Sequence, residues 1–112
     1  MTSEAFRRLA LSMPAAIEGS HMGHADFRAG NRIFATLGSP DERWGMVKLT
    51  PEQQEAVVSA EPAVYSPVKG GWGRSGATGV LLRAARARSL RVALGAAWSN
   101  VASLKPRKRA RK

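Results

Sequence analysis

The sequence predicts a two-layer α+β domain, and three observations carry the prediction. Apolar residues first recur at helical spacing, then alternate along short stretches, and later return to helical spacing. Gly30-Asn31 separates two of the alternating stretches, as a tight hairpin requires. Thr50-Pro51-Glu52-Gln53 spells a helix start directly after the third stretch. The resulting order is helix, three strands, helix, two strands, helix (α-β-β-β-α-β-β-α), with hairpin-joined strands in one layer and helices in the other. With 112 residues, 44% of them hydrophobic, the chain is sized for a single domain with one core.

Each element has its own reason. Thr2 to Ser12 reads as a helix with Ser3 as cap, because Phe6, Leu9, Ala10 and Met13 share one face. Pro14 then stops it. Ala25 to Ala29 and Arg32 to Leu37 form the hairpin. In its second strand Ile33, Ala35 and Leu37 alternate with Arg32, Phe34 and Thr36, so the first three are expected on one apolar side. Trp44 to Leu49 follows, with Val47 and Leu49 on one side and Trp44, Met46 and Lys48 on the other. The next helix runs from Thr50 to about Ala60 and ends before Pro62. Ala63 to Val68 and Ala77 to Arg83 are strands flanking a glycine-rich loop. Ser89 is expected to cap a last helix whose stripe is Leu90, Ala93, Leu94, Ala97, Trp98 and Val101. Within it Gly95 costs about 1 kcal/mol relative to alanine, which the packing of Trp98 offsets. Trp44 and Trp98 are expected in the core, and Trp72 in the loop as a contact residue.

Charge separates along the chain. All eight acids lie at or before Glu61, with six Lys or Arg, so that part carries about −2; the rest holds twelve Lys or Arg and no acid. Six of those twelve fall within Lys105-Pro106-Arg107-Lys108-Arg109-Ala110-Arg111-Lys112. The division expected is a domain over residues 1–104 and a disordered basic tail over residues 105–112. A positive field of this kind attracts polyanions. There is no cysteine, hence no disulfide framework, thiolate metal site or cysteine nucleophile. No window is apolar enough for a membrane span, and the N-terminal stretch lacks the apolar run of a secretory signal. The expectation is a cytoplasmic protein with no integral membrane association.

Three motifs suggest chemistry. Gly71-Trp72-Gly73-Arg74-Ser75-Gly76 matches GxGxxG, but a dinucleotide site needs a helix after it and an acid some twenty residues on, and no acid exists downstream. These glycines are expected to allow positive φ in a loop that presents Trp72 and Arg74. His21-x-x-His24-x-Asp26 lacks the spacing and fourth ligand of a zinc motif, so hydrogen-bonding or surface histidines are expected, not a metal site. They belong to a stretch, Gly19-Ser20-His21-Met22, that coincides with a common expression-tag remnant but lies inside the chain and is read as native. Ser20, His21 and Asp26 form the sort of trio that any chain offers by chance. No catalytic residue and no cofactor is assigned, and a non-enzyme is expected.

The basic residues carry the functional expectation. Arg28 and Arg32 flank the hairpin turn, and Lys69 and Arg74 bracket the glycine-rich loop, with Trp72 available to stack on a base. Arg83, Arg86, Arg88 and Arg91 extend into the last helix, and Lys105, Arg107, Lys108, Arg109, Arg111 and Lys112 follow in the tail. These residues are expected to contact the phosphates of nucleic acid, DNA first, with low sequence specificity. The alternatives are a solvated tail, or a protein-interaction or chaperone-like adaptor that docks a partner on an apolar sheet face; membrane-surface binding ranks last. A monomer is expected.

Several stretches resemble the MmcQ/YjbR family of small bacterial proteins. They are Phe6-Arg7-Arg8-Leu9-Ala10-Leu11-Ser12-Met13-Pro14, Glu18-Gly19-Ser20-His21-Met22-Gly23-His24-Ala25-Asp26-Phe27-Arg28, Ile33-Phe34-Ala35-Thr36-Leu37 and Trp44-Gly45-Met46-Val47-Lys48-Leu49-Thr50-Pro51-Glu52-Gln53-Gln54. Gly71-Trp72-Gly73-Arg74-Ser75-Gly76-Ala77-Thr78 and Ala96-Ala97-Trp98 complete the resemblance, which covers about residues 4–103. It implies an antiparallel sheet with helices on one face, similar to frataxin-like (CyaY-like) and type III secretion-chaperone-like domains. It also implies the description of a DNA-binding protein with a double-wing motif. The basic tail departs from the family's usual ending, which leaves the tail as an alternative seat of affinity.

Overall fold

The computed structural model describes residues 1–104, and the expected tail lies outside them. Its first helix, α1 (Ser3–Leu11), starts one residue earlier than a Ser3 cap would allow: Thr2 is the cap, its side chain accepting from the Ala5 N–H at 3.0 Å. Six strands follow in a single antiparallel sheet: β1 (Ile17–His21), β2 (His24–Ala29), β3 (Arg32–Leu37), β4 (Trp44–Lys48), β5 (Tyr65–Pro67) and β6 (Ala77–Leu81), in the spatial order β1-β2-β3-β4-β6-β5. Helix α2 (Pro51–Ala60) connects β4 to β5, the short α3 (Gly71–Arg74) connects β5 to β6, and α4 (Ala87–Ala102) closes the described chain after a 3₁₀ turn at Leu82–Ala84. The α+β class and the antiparallel sheet are those expected, and the expected helices and strands occur in the expected order.

Two elements were not assigned from sequence. The first, β1, is an edge strand containing Gly19 and Ser20, weak strand formers, and is joined to β2 by Met22 and Gly23, both at positive φ (51° and 80°). The other, α3, replaces the open glycine loop with one helical turn. The Gly30-Asn31 hairpin has positive φ at both turn residues, 59° and 63°, as its sequence predicts. The Thr50 capping box also forms, with Gln53 N–H to Thr50 Oγ1 at 3.1 Å and Thr50 N–H to Gln53 Oε1 at 2.9 Å.

Three local expectations are corrected. A register shift at Phe27/Arg28 breaks the simple alternation of β3, so Phe34 is fully buried in the core while Ile33 is half-exposed. Arg86, not Ser89, occupies the cap position of α4. Ser89 instead donates to Glu61 and accepts from the Tyr65 hydroxyl, and burial pushes the Tyr65 pKa up. Trp98 packs at the edge of the core and donates its Nε1–H to the Pro14 carbonyl at 2.8 Å.

The core lies between α1, α4 and one face of the sheet. Phe6 and Ala10 from α1, and Leu90, Ala93, Leu94, Ala97 and Val101 from α4, pack with Phe27, Ala35, Leu37, Val47 and Val80. Burying each larger side chain contributes about 1.5–3 kcal/mol. Gly45 on β4 leaves room for the Phe6 ring, since a Cβ there would come within 2.7 Å of Phe6 Cε2. Both helices are therefore on one side, and the opposite face of the sheet is open.

Candidate functional site

The open face is organised by one cross-strand row. Gly19, Asp26, Thr36, Met46, Gly79 and Ser66 are successive partners across all six strands. Because side chains alternate along a strand, this row points away from the row of Phe27, Ala35 and Val47 that meets the helices. Over Thr36, Met46, Gly79 and Ser66 lies a groove of about 580 Å³. His21 and His24 line one side of it, Lys69 and Trp72 the other, and Trp44 with Pro40 completes the wall. Trp44 is thus on the open face and not in the core; its ring crosses Gly79, where an added Cβ would sit 3.3 Å from Trp44 Cε3. No Asp or Glu lines the groove among the described residues. A more open depression beside α2 does carry acids, Glu52 and Glu55.

Behind the histidine side is a buried charge network. The Asp26 carboxylate is fully buried and receives His21 Nδ1 at 2.7 Å, Arg28 Nε at 2.7 Å and a second Arg28 N–H at 3.0 Å. Burial alone would raise the Asp26 pKa; the hydrogen bonds and charges of Arg28 and His21 outweigh it and hold the carboxyl below its ordinary value. Asp26 therefore stays ionised near neutrality and can only accept, so His21 Nδ1–H donates to it and Nε2 is left outside that bond. The same bonds raise the Arg28 pKa. Gly19 lets this network close, because a Cβ there would meet Asp26 Oδ1 at 3.0 Å and Arg28 Nε at 3.2 Å.

The opposite wall is held by glycines and by Gln54. A Cβ at Gly73 would fall 1.6 Å from the Val68 carbonyl oxygen, and one at Gly76 would fall 1.9 Å from that of Leu49. The positive φ expected of this string occurs at Gly76 (115°) and at Gly70 (84°) before it, whereas Gly73 is required by close approach. From α2, Gln54 Nε2 donates to the carbonyls of Gly73 at 2.9 Å and Ala77 at 3.0 Å. These contacts seat α3 firmly and leave Trp72 projecting, 70% exposed.

The expected site residues fall into distinct places. Lys69 and Trp72 reach the groove, and Arg74 is exposed on the same turn. Arg28 is engaged by Asp26, and Arg32 is half-buried beside the β2–β3 turn; neither lines the groove. Lys105, Arg107, Lys108, Arg109, Arg111 and Lys112 lie outside the described residues. Sequence reasoning grouped Trp44 and Met46 with Phe34 as a possible exposed sheet face for a protein partner; Trp44 and Met46 do share the open face, together with Thr36, which it missed, whereas Phe34 is buried in the core. His21 and Asp26 do bond, but Ser20 alternates to the other face of β1 and makes no hydrogen bond with His21. Among the described residues, no group of three His, Asp or Glu is placed to hold a metal, and no helix is long and apolar enough to cross a membrane.

The cations divide by position, though not completely, since Arg8 and Lys48 before residue 62 are also exposed and take part in no ion pair among the described residues. Before residue 62, Arg7 pairs with Glu4 and Glu18, Arg28 with Asp26, and Arg43 with Asp41. After it, Lys69, Arg74, Arg83, Arg86, Arg88 and Arg91 are exposed, and none takes part in an ion pair among the described residues.

A two-layer α+β domain with an open antiparallel face defines a class, and comparison with known families places the chain within it. Residues 11–100 match the YjbR family model, and the chain belongs to the YjbR family. The fold is similar to the crystal structure of a Deinococcus radiodurans protein with the DUF419 family domain, at a TM-score of 0.74 and 19% identity, covering 91% of this chain and 79% of that one. No curated protein matches the sequence at a significant level.

Proposed function

We propose that this YjbR-family protein is a non-catalytic nucleic-acid-binding protein of low sequence specificity, DNA being the first candidate. One observation carries the reading: every described cation after Glu61 is exposed and in no ion pair among the described residues, so its charge is available to phosphates. Lys69 and Arg74 on the α3 turn, Arg83 to Arg91 around the start of α4, and the basic tail supply the contacts. Arg28 contributes through Asp26 and His21, not as a phosphate ligand. Specificity is low because the exposed positions of α4 are Ala87, Arg88, Arg91, Val92, Ser99 and Ala102, which include no Asn or Gln to read bases.

The test is fluorescence anisotropy with labelled random-sequence DNA over a salt series. Each phosphate contact contributes about −0.9 to the slope of log K against log salt on duplex. Substituting Arg86, Arg88 and Arg91 together by alanine is expected to weaken binding equally on unrelated sequences and to make the slope shallower by about 1–3. An unchanged slope in that variant would count against these contacts. Trp44 and Met46 on the open face favour a second reading, a chaperone-like protein adaptor, whose binding would survive raised salt.

A further inference from the structure

The groove on the open face has a composition that phosphate contacts alone do not require. Its floor and walls are apolar and aromatic at Met46, Trp44, Pro40 and Trp72, with hydroxyls at Thr36 and Ser66 and ring nitrogens at His21 and His24. Lys69 lies at its rim and Arg74 on the adjoining turn, while no carboxylate lines it among the described residues. A flat apolar body with a polar edge and a negative charge complements that surface. At about 580 Å³ the groove falls within the range of about 300–1,000 Å³ typical of small-ligand sites, the scale of a nucleotide and not of a duplex.

We propose that this groove holds an unpaired nucleotide of a single-stranded nucleic acid. The base lies against Trp72 and Trp44, and its phosphate is at Lys69 and Arg74. The proposal rests on the nucleic-acid reading and adds strandedness to it. In a duplex both faces of each base are covered by neighbours, so only an unpaired base can offer a face to an exposed tryptophan. Trp72 is suited to that contact because its turn is built not to yield: Gly73 packs on the Val68 carbonyl, and Gln54 ties the Gly73 and Ala77 carbonyls to α2. A residue held in place while 70% exposed loses little further freedom on stacking. On the opposite wall Asp26 holds His21 by Nδ1, which leaves Nε2 to meet the polar edge of the base.

The full chain would be titrated with a short labelled oligothymidylate and with a random duplex at one salt concentration, read by anisotropy and by tryptophan quenching. The proposal predicts tighter binding of the single strand, with quenching. It also predicts that Trp72→Ala lowers single-strand affinity about 5- to 150-fold, the range expected for one stacked base, with little change on duplex. Trp72→Phe should recover much of the loss, which a purely structural effect on the turn would not explain. Equal binding of both nucleic acids, unchanged or equally weakened by Trp72→Ala, would overturn the groove assignment and leave the nucleic-acid reading standing. Absence of binding to either would overturn both. Quenching by an apolar peptide but not by oligothymidylate would assign the groove to a protein partner.

Discussion

Asp26 is the residue on which the histidine wall depends. It is wholly buried and its carboxylate accepts from His21 and twice from Arg28. Asp26→Asn keeps the shape but removes the charge that both partners face. Losing one member of a buried pair costs about 3–5 kcal/mol. Here the figure is discounted to about 1–3 kcal/mol, since the side chains of Arg28 and His21 remain 28% and 40% exposed. The pH dependence has a definite sign. The folded-state pKa of Asp26 is lowered, so its stabilisation is fully present above the unfolded carboxylate value of about 3.9 and is lost as pH falls through the folded value. Urea unfolding of both proteins should show their stability gap wide near neutrality and closing below about pH 4. A gap independent of pH would mean that the carboxylate charge is not what the network uses. His21 and Asp26 were visible in the sequence only as parts of the His21-x-x-His24-x-Asp26 pattern and of a generic Ser-His-Asp trio. Their pairing depends on the Met22-Gly23 turn, which places His21 directly opposite His24 and so beside Asp26.

Among the elements, α3 shows how one motif can be legible in part. The GxGxxG string was set apart from dinucleotide-binding loops by the missing downstream acid, and in the fold its glycines serve different ends. Gly73→Ala would force a Cβ against the Val68 carbonyl and should lower stability by about 1–3 kcal/mol while disturbing Trp72. Gly71→Ala meets nothing closer than the Arg74 guanidinium at 3.6 Å and should be neutral or mildly stabilising. Thermal unfolding of the two variants separates these cases; equal effects would contradict the packing described. The Gly30-Asn31 hairpin and the Thr50 capping box were legible because their signals are local. The β3 alternation was not, because a register shift is set by pairing with β2 and leaves no mark in the strand's own residues. Ser89 was misplaced for a similar reason, its hydroxyl being claimed by Glu61 and Tyr65 from elsewhere in the chain.

Across the whole molecule, the fold turns a linear charge asymmetry into two kinds of surface. Glu4, Glu18, Asp26 and Asp41 engage Arg7, Arg28 and Arg43, while the six described cations after Glu61, like Arg8 and Lys48 before it, take part in no ion pair among the described residues. Charge counting along the sequence anticipated the second surface. It misassigned Arg28, because a β-strand brings residues two apart onto one face and so sets Arg28 beside Asp26. The groove as a whole could not be read in advance, since its parts come from six strands and three connecting segments.

The central claim is that the folded domain itself binds nucleic acid, with the tail as an addition. The most direct measurement compares the salt dependence of DNA affinity for the full chain and for a chain ending at Leu104, which retains every core residue through Val101. The account predicts that the shorter chain still binds, with a slope of roughly −2 to −5 from its six available cations and a slope shallower than that of the full chain by up to about 5. Loss of all binding on removing residues 105–112 would contradict it, and would leave the open face to be explained by a protein partner.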